Sequence, residues 1–259
     1  MRSELWIGIA LFGTLGAIAP HASADFITIG ATRDAAIYED QDGFAANGAG
    51  RHLFAGRTQQ GLLRRSLIRF EFDGLLPEGA VITSVTLALH ATQGQGGLRT
   101  ISLHRALAPW STGSSNPPES EGQGAPATAG DCTWIHSTTN GVGLGGALWA
   151  NAGGDFAANA SASASTTTSG LQTWTGDGLI ADVQAFLDDP SANFGWFIVG
   201  DELEANQATT RRFDSADSIA EGGTPPALTI GFLTIPAPAA MGVFACAGVL
   251  GTRRRRDQV

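Results

Sequence analysis

The chain of 259 residues contains no lysine, so its positive charge rests on 15 arginines against 24 acidic residues. Five of those arginines sit at the two ends: Arg2 and the run Arg253, Arg254, Arg255 and Arg256. Without them, and without Glu4 and Asp257, the middle of the chain keeps 10 basic and 22 acidic residues, a charge of about −12. Nucleic-acid binding needs clustered positive charge, so a nucleic-acid partner is excluded. Cysteine is scarce as well. Cys246 lies in the terminal segment set aside below, which leaves Cys132 alone, with no intrachain disulfide and the expected role of a small buried residue. No apolar run is long enough for a permanent membrane span; residues 239–251 would rise only ~20 Å as a helix against a bilayer core of ~30 Å. Catalytic signatures are missing too. His52, His90, His104 and His136 lack metal-ligand spacing, there is no Gly-x-Ser-x-Gly elbow, and no glycine-rich phosphate cradle precedes a helix.

The two ends carry targeting signals rather than fold. Arg2 precedes an apolar stretch at residues 5–18, and Ala22-Ser23-Ala24 forms a small-residue cleavage site. Residues 1–24 are therefore expected to be a signal peptide cut by signal peptidase at Ala22 and Ala24, leaving Asp25 first. At the other end Pro236-Ala237-Pro238 is followed by the short apolar segment and the four arginines. A cationic stop behind such a segment holds a chain transiently in a membrane, with the arginines on the cytoplasmic side. This tripartite tail, residues 236–259, resembles the PEP-CTERM sorting signals of bacteria in a Pro-Ala-Pro variant. The resemblance implies removal by an exosortase and an exported protein held at the cell envelope or in an extracellular matrix. Residues 25–235 remain, a length that suits one all-β domain.

Within that region apolar and polar residues alternate with period 2. Strands are expected near residues 26–30, 33–38, 52–55, 66–72, 81–91, 100–107, 194–199 and 227–232, with turn signals between them, and the pattern reads as a sandwich or barrel. One stretch departs from it. Leu179, Ile180, Val183, Phe186 and Leu187 recur at helical spacing, with Asp177 as expected N-cap and Asp188-Asp189-Pro190 as stop, which predicts one short helix capping the sandwich. Residues 111–130 and 157–169 are rich in Ser, Thr, Gly, Pro and Ala, and read as long loops or poorly packed edges.

Several strings, in order, carry a second resemblance. They are Ser66-Leu67-Ile68-Arg69-Phe70-Glu71-Phe72, Pro77-Glu78-Gly79-Ala80 leading into Ile82-Thr83-Ser84-Val85, and Ile101-Ser102-Leu103-His104-Arg105 with Trp110. Gly130-Asp131-Cys132-Thr133-Trp134, Trp149, Gly153-Gly154-Asp155-Phe156, Asn193-Phe194-Gly195-Trp196 and Arg212-Phe213-Asp214-Ser215 follow. Together these resemble the DNRLRE-type carbohydrate-binding module of bacterial and archaeal surface proteins. The resemblance implies a jelly-roll-like β-sandwich and a role in binding polysaccharide, without naming the sugar.

The candidate binding residues follow from sugar chemistry. Flat aromatic faces cover the C–H side of a pyranose; Trp110, Trp134 and Trp149 border the loop-rich middle and are the candidates, against the plainer reading of rings that pack the core or plug loops. Arg105 and Arg212 are mid-strand guanidinium groups that could grip a carboxylate, against the plainer reading of strand-face ion pairs. For a structural Ca²⁺, Asp40 and Asp42 in a Glu-Asp-Gln-Asp-Gly turn, and Asp155, are oxygen donors of the right kind, against the plainer reading of solvated turns. The leading expectation is a non-catalytic exported module that binds polysaccharide. A purely structural surface protein is the alternative, and a polysaccharide lyase or hydrolase ranks last.

Overall fold

The structure, a computed structural model, describes residues 23–203 and 207–234. The expected sorting tail and, except for Ser23 and Ala24, the expected signal peptide lie outside the described residues. In chain order the strands are β1 (Ser23–Gly30), β2 (Arg33–Tyr38), β3 (Ala45–Asn47), β4 (His52–Arg57), β5 (Leu63–Arg69), β6 (Val81–Gly94), β7 (Arg99–Arg105) and β8 (Ala125–Pro126). They continue as β9 (His136–Thr139), β10 (Gly146–Leu148), β11 (Ala162–Thr166) and β12 (Gly170–Thr175). After the helix α1 (Asp177–Asp188) come β13 (Trp196–Val199), β14 (Arg211–Asp214) and β15 (Ala227–Thr234).

The fold is an all-β sandwich in which every strand pair is antiparallel. β6 is the axis of the first sheet. β15 pairs with its first half and β14 with its second, while β12 runs along the other side; β1 flanks β15 and β4 flanks β14. The second sheet runs β8-β3-β2-β5-β13-β7-β11. β4 and β5 pair where they meet their common turn, at Gly56–Arg64 and Arg57–Leu63, and so carry the chain from one sheet to the other.

Period-2 alternation sets the core. On β6, Val85, Leu87, Leu89 and Ala91 point inward, while Ser84, Thr86, Ala88 and His90 point outward. They meet Ile68, Phe70, Ile101, Leu103, Trp174, Trp196, Ile198, Phe213, Leu228 and Ile230 between the sheets. Each such side chain contributes about 1.5–3 kcal/mol by leaving water. The second sheet is buried on both faces. Leu67 and Phe197 point away from the sandwich into another layer with Trp110, Cys132, Trp134 and Trp149. The loop-rich middle of the chain is thus a cover over the second sheet. It is pinned rather than loose: the buried Asp131 carboxylate accepts from the backbone N–H of Thr128 at 2.6 Å and of Ser115 at 3.2 Å. Likewise the Ala/Ser/Thr tract contains β11, the edge strand beside β7, with a Ser102–Ser163 hydroxyl pair at 2.8 Å.

α1 buries Leu179, Val183 and Phe186 against this core. Its N-cap is Gly176, and Asp177, the expected cap, is instead its first helical residue, where its charge still favours the helix N-terminus. Gly178 lets the helix approach the chain before β11, because a Cβ there would lie 2.4 Å from the Ser161 carbonyl oxygen. The indole under the helix is that of Trp196, 5.4 Å from the Phe186 ring and bonded through Nε1 to Asp182 at 2.8 Å. Trp174, in the same core, packs edge-on against Phe213 at 6.0 Å.

Candidate functional site

The three candidate tryptophans are not an open platform. Trp110, Trp134 and Trp149 are 6%, 7% and 5% exposed. Trp110 donates its Nε1–H to the Phe194 carbonyl at 2.8 Å, and Trp149 donates to Thr133 at 2.9 Å. The face of Trp134 is occupied by Arg65, whose guanidinium lies 4.9 Å from the indole centroid and 5.0 Å from the Phe156 ring. Arg65 in turn forks onto Glu202 at 2.8 and 2.7 Å. Stacking on a sugar is replaced by packing of the protein on itself. These residues belong to the cover layer, where large rings fill volume and find acceptors for their N–H groups.

The proposed cation ligands are also committed elsewhere. Asp40 accepts the backbone N–H groups of Asp42, Phe44 and Ala45 at 3.1, 2.8 and 3.3 Å. Asp155 accepts those of Ala150 and Asn151 at 2.7 and 2.9 Å. Asp42 is an exposed turn residue. Among the described residues no group of three His, Cys, Asp or Glu side chains converges as a metal site, whereas Ca²⁺ takes six to eight oxygens. The acidic turns are held by their own backbone. Arg105 is half-exposed, with Nη1 3.8 Å from Asp182, and stands apart from the cleft described next.

Of the named candidates, Arg212 and Asp40 line a cavity. A cleft of ≈ 930 Å³ opens where the β4–β5 turn, the far end of β6, the turn after β2 and the segment around residue 121 come together. Its floor is Tyr38, Phe54 and Ala45, an apolar cluster on β2, β4 and β3. The Ser66 hydroxyl fixes the floor by donating to the Phe54 carbonyl and accepting from the Phe54 N–H, each at 2.8 Å. The walls carry Gln41, Gln59, Gln60, Gln93, Gln95 and Gln123, six of the chain's ten glutamines. None of these six amide side chains has a hydrogen-bond partner among the described residues. The contrast with the other described glutamines is sharp: Gln172, Gln184 and Gln207 each bond within the protein. An amide offers two donors and an acceptor carrying two lone pairs, so the walls hold a set of unspent polar groups in water.

Two guanidinium groups complete the lining. Arg64 lies 4.8 Å over the Tyr38 ring and donates to the carbonyls of Gly122 at 3.2 Å and Leu63 at 2.8 Å. Arg212 is positioned by Nε–H donation to the Thr92 hydroxyl at 2.9 Å, which leaves its two Nη groups without a partner among the described residues. Burial pulls the pKa of both downward, the direction expected of cations partly withdrawn from water.

The wall around residue 121 is held by a buried carboxylate. Glu121 accepts from the backbone N–H of Arg51 at 3.1 Å and of His52 at 2.9 Å, and from Asn47 Nδ2 at 3.3 Å. The ring nitrogen Nδ1 of His52 is 3.3 Å away. Burial acts to raise the Glu121 pKa, but the His52 ring, the Arg51 amide and Asn47 together hold it below the ordinary glutamate value. Glu119 and Glu121 both adopt positive φ, 54° and 62°, on either side of Ser120 in the cleft wall. Such backbone costs of order 1 kcal/mol or more per residue, and here the Glu121 carboxylate contacts hold it in place.

Comparison with protein-family models returns no match, and none of the curated proteins matches the chain. The cleft itself was not foreseen from the sequence. Its glutamines lie at positions 41, 59, 60, 93, 95 and 123, scattered through turns, and only the topology gathers them.

Proposed function

We propose that the protein is an exported, non-catalytic β-sandwich module of the cell envelope or extracellular matrix that binds polysaccharide in the glutamine-lined cleft. The observation that carries this reading is the set of six unpartnered amides around an apolar floor. Sugar recognition needs many hydrogen-bonding groups arranged over a nonpolar base in a concave site, and the cleft volume falls in the range of ligand sites. Export and retention rest on the leader and on the PEP-CTERM-like tail, and the resemblance to DNRLRE-type modules points the same way. The cleft carboxylates suit structure better than acid–base chemistry, since Glu39 accepts the Leu63 N–H at 2.7 Å and Asp40 accepts three backbone N–H groups.

A second reading is favoured by one observation: all five tryptophans of the described residues are buried, as in a purely structural surface protein. A glycan array separates the two. The full chain should bind at least one polysaccharide, and Gln59→Ala/Gln60→Ala should weaken that binding while leaving the thermal melt unchanged. Binding that is absent, or indifferent to the cleft substitutions, returns the weight to the structural role.

A further inference from the structure

The charges that line the cleft cancel. Glu39 and Asp40 oppose Arg64 and Arg212, and each of the four already has something to hold. Arg64 has Glu39 beside it, spends two nitrogens on carbonyls and is stacked on Tyr38. Arg212 is partly withdrawn from water, and Glu121 and Asp214 nearby act against the effects of burial and of Arg51. Beside the two Nη groups of Arg212, what the cleft offers freely is amide, from six side chains. Each glutamine brings a carbonyl oxygen as well as an NH₂ group, so six acceptors line the walls together with six donor groups. A carboxylate or sulfate is acceptor-only. It would leave the amide oxygens unsatisfied and bring negative charge into a body of about −12. A hydroxyl both donates and accepts, and meets an amide edge on equal terms.

We infer that the cleft recognises an uncharged, hydroxyl-rich polysaccharide, reading its hydroxyl groups through side-chain amides. This rests on the glycan-binding reading above. Selectivity then comes from hydrogen-bond matching rather than from attraction between opposite charges, and that difference has a direct signature. Binding through neutral amides is nearly indifferent to salt, whereas a polyanion held by arginine loosens as the Debye length shortens.

The experiment titrates the full chain against immobilised neutral glucans, mannans, galactans and xylans, and against polyuronates and sulfated galactans, at about 0.05 M and about 0.5 M NaCl. The expected result is binding to at least one neutral polymer that changes less than about twofold between the two salts. Gln93→Ala/Gln95→Ala should lower that affinity about tenfold, the effect of losing two neutral hydrogen-bonding groups. Arg212→Gln, which keeps a donor and removes the charge, should leave the ratio of affinities at the two salts unchanged, whatever it does to the affinity itself. Binding confined to polyuronates or sulfated polymers and lost at high salt would overturn this inference while leaving the cleft a glycan site. Binding to no polymer at either salt would remove the glycan-binding reading itself, and this inference with it.

Discussion

Asp34 should make the protein less stable as pH rises from weakly acidic to neutral. Its side chain, on β2, is 4% exposed, and its carboxylate accepts the backbone N–H of Ala216 at 2.7 Å. Burial raises its pKa from 3.8 to about 7; the Ala216 bond opposes the rise and nearby Asp217 adds to it. In the unfolded chain the group ionises near its ordinary value, so between about pH 4 and pH 7 the folded state keeps a proton that the unfolded state has released. Stability therefore falls across that window, by at most about 4 kcal/mol for a shift of roughly three units at 1.36 kcal/mol each. Glu121 acts with the opposite sign. Its pKa is held below the ordinary value, so its contribution is intact above pH 4.5 and fades as pH falls through the folded value. The two together place maximal stability in the weakly acidic range. Asp34→Asn tests the argument cleanly, because the amide oxygen still accepts the Ala216 N–H while the ionisation is gone. Urea unfolding should give nearly equal midpoints for parent and variant at pH 5. At pH 8 the variant should gain about 2–4 kcal/mol, or roughly 1–2 M in midpoint for a slope near 2 kcal/mol/M. Parallel pH profiles for the two proteins, or a variant weaker than the parent at pH 8, would refute the reasoning.

Arg211 is fully buried and donates to the carbonyls of Gln95, Thr210, Gly97 and Thr166, tying three segments together. Arg211→Met should cost about 3–5 kcal/mol and lower the calorimetric midpoint by about 10 °C; a drop below about 3 °C would show that these bonds contribute little. Trp134→Ala should cost about 3–5 kcal/mol by opening a cavity beside Arg65, yet leave glycan affinity unchanged at a temperature where the variant remains folded. A selective loss of binding there would return the tryptophan to the recognition surface. Substituting Pro236→Ala and Pro238→Ala should leave a heavier, membrane-associated product in cell fractions, and identical mature masses for parent and variant would exclude tail processing at this motif.

The parts of the fold legible in the sequence are those where one face is apolar and the other polar. The axial strand follows its inward Val85, Leu87 and Leu89, while β2 runs Arg33–Tyr38 as expected although both of its faces are buried. The strand expected at residues 66–72 instead pairs only to Arg69; Phe70 and Phe72 stay buried without a ladder. β6 runs on to Gly94, past the apolar residues, because Gln93 and Gly94 still pair with Arg212 and Arg211. β11 escaped notice because Ala, Ser and Thr give no hydrophobic contrast, and it is an edge strand with little to bury. Of the two readings open for Trp110, Trp134 and Trp149, their burial favours packing. Position beside loops suggested exposure, but those loops form a second buried layer on the outer face of a sheet. The cleft could not be read at all, since an unpartnered glutamine looks the same in sequence as a bonded one.

The length of β6 has a mechanical consequence. Fourteen residues at about 3.3 Å each make a rod of about 45 Å. Leu233 pairs with Val81 at one end of that rod, and Thr234 with Ser23 beside it; Gln93 and Gln95 border the cleft at the other end. The described chain therefore begins and ends at the pole remote from the cleft. If the proposed retention at the envelope holds, a tether continuing from Thr234 would leave the sandwich at the pole opposite the cleft, about one strand length away.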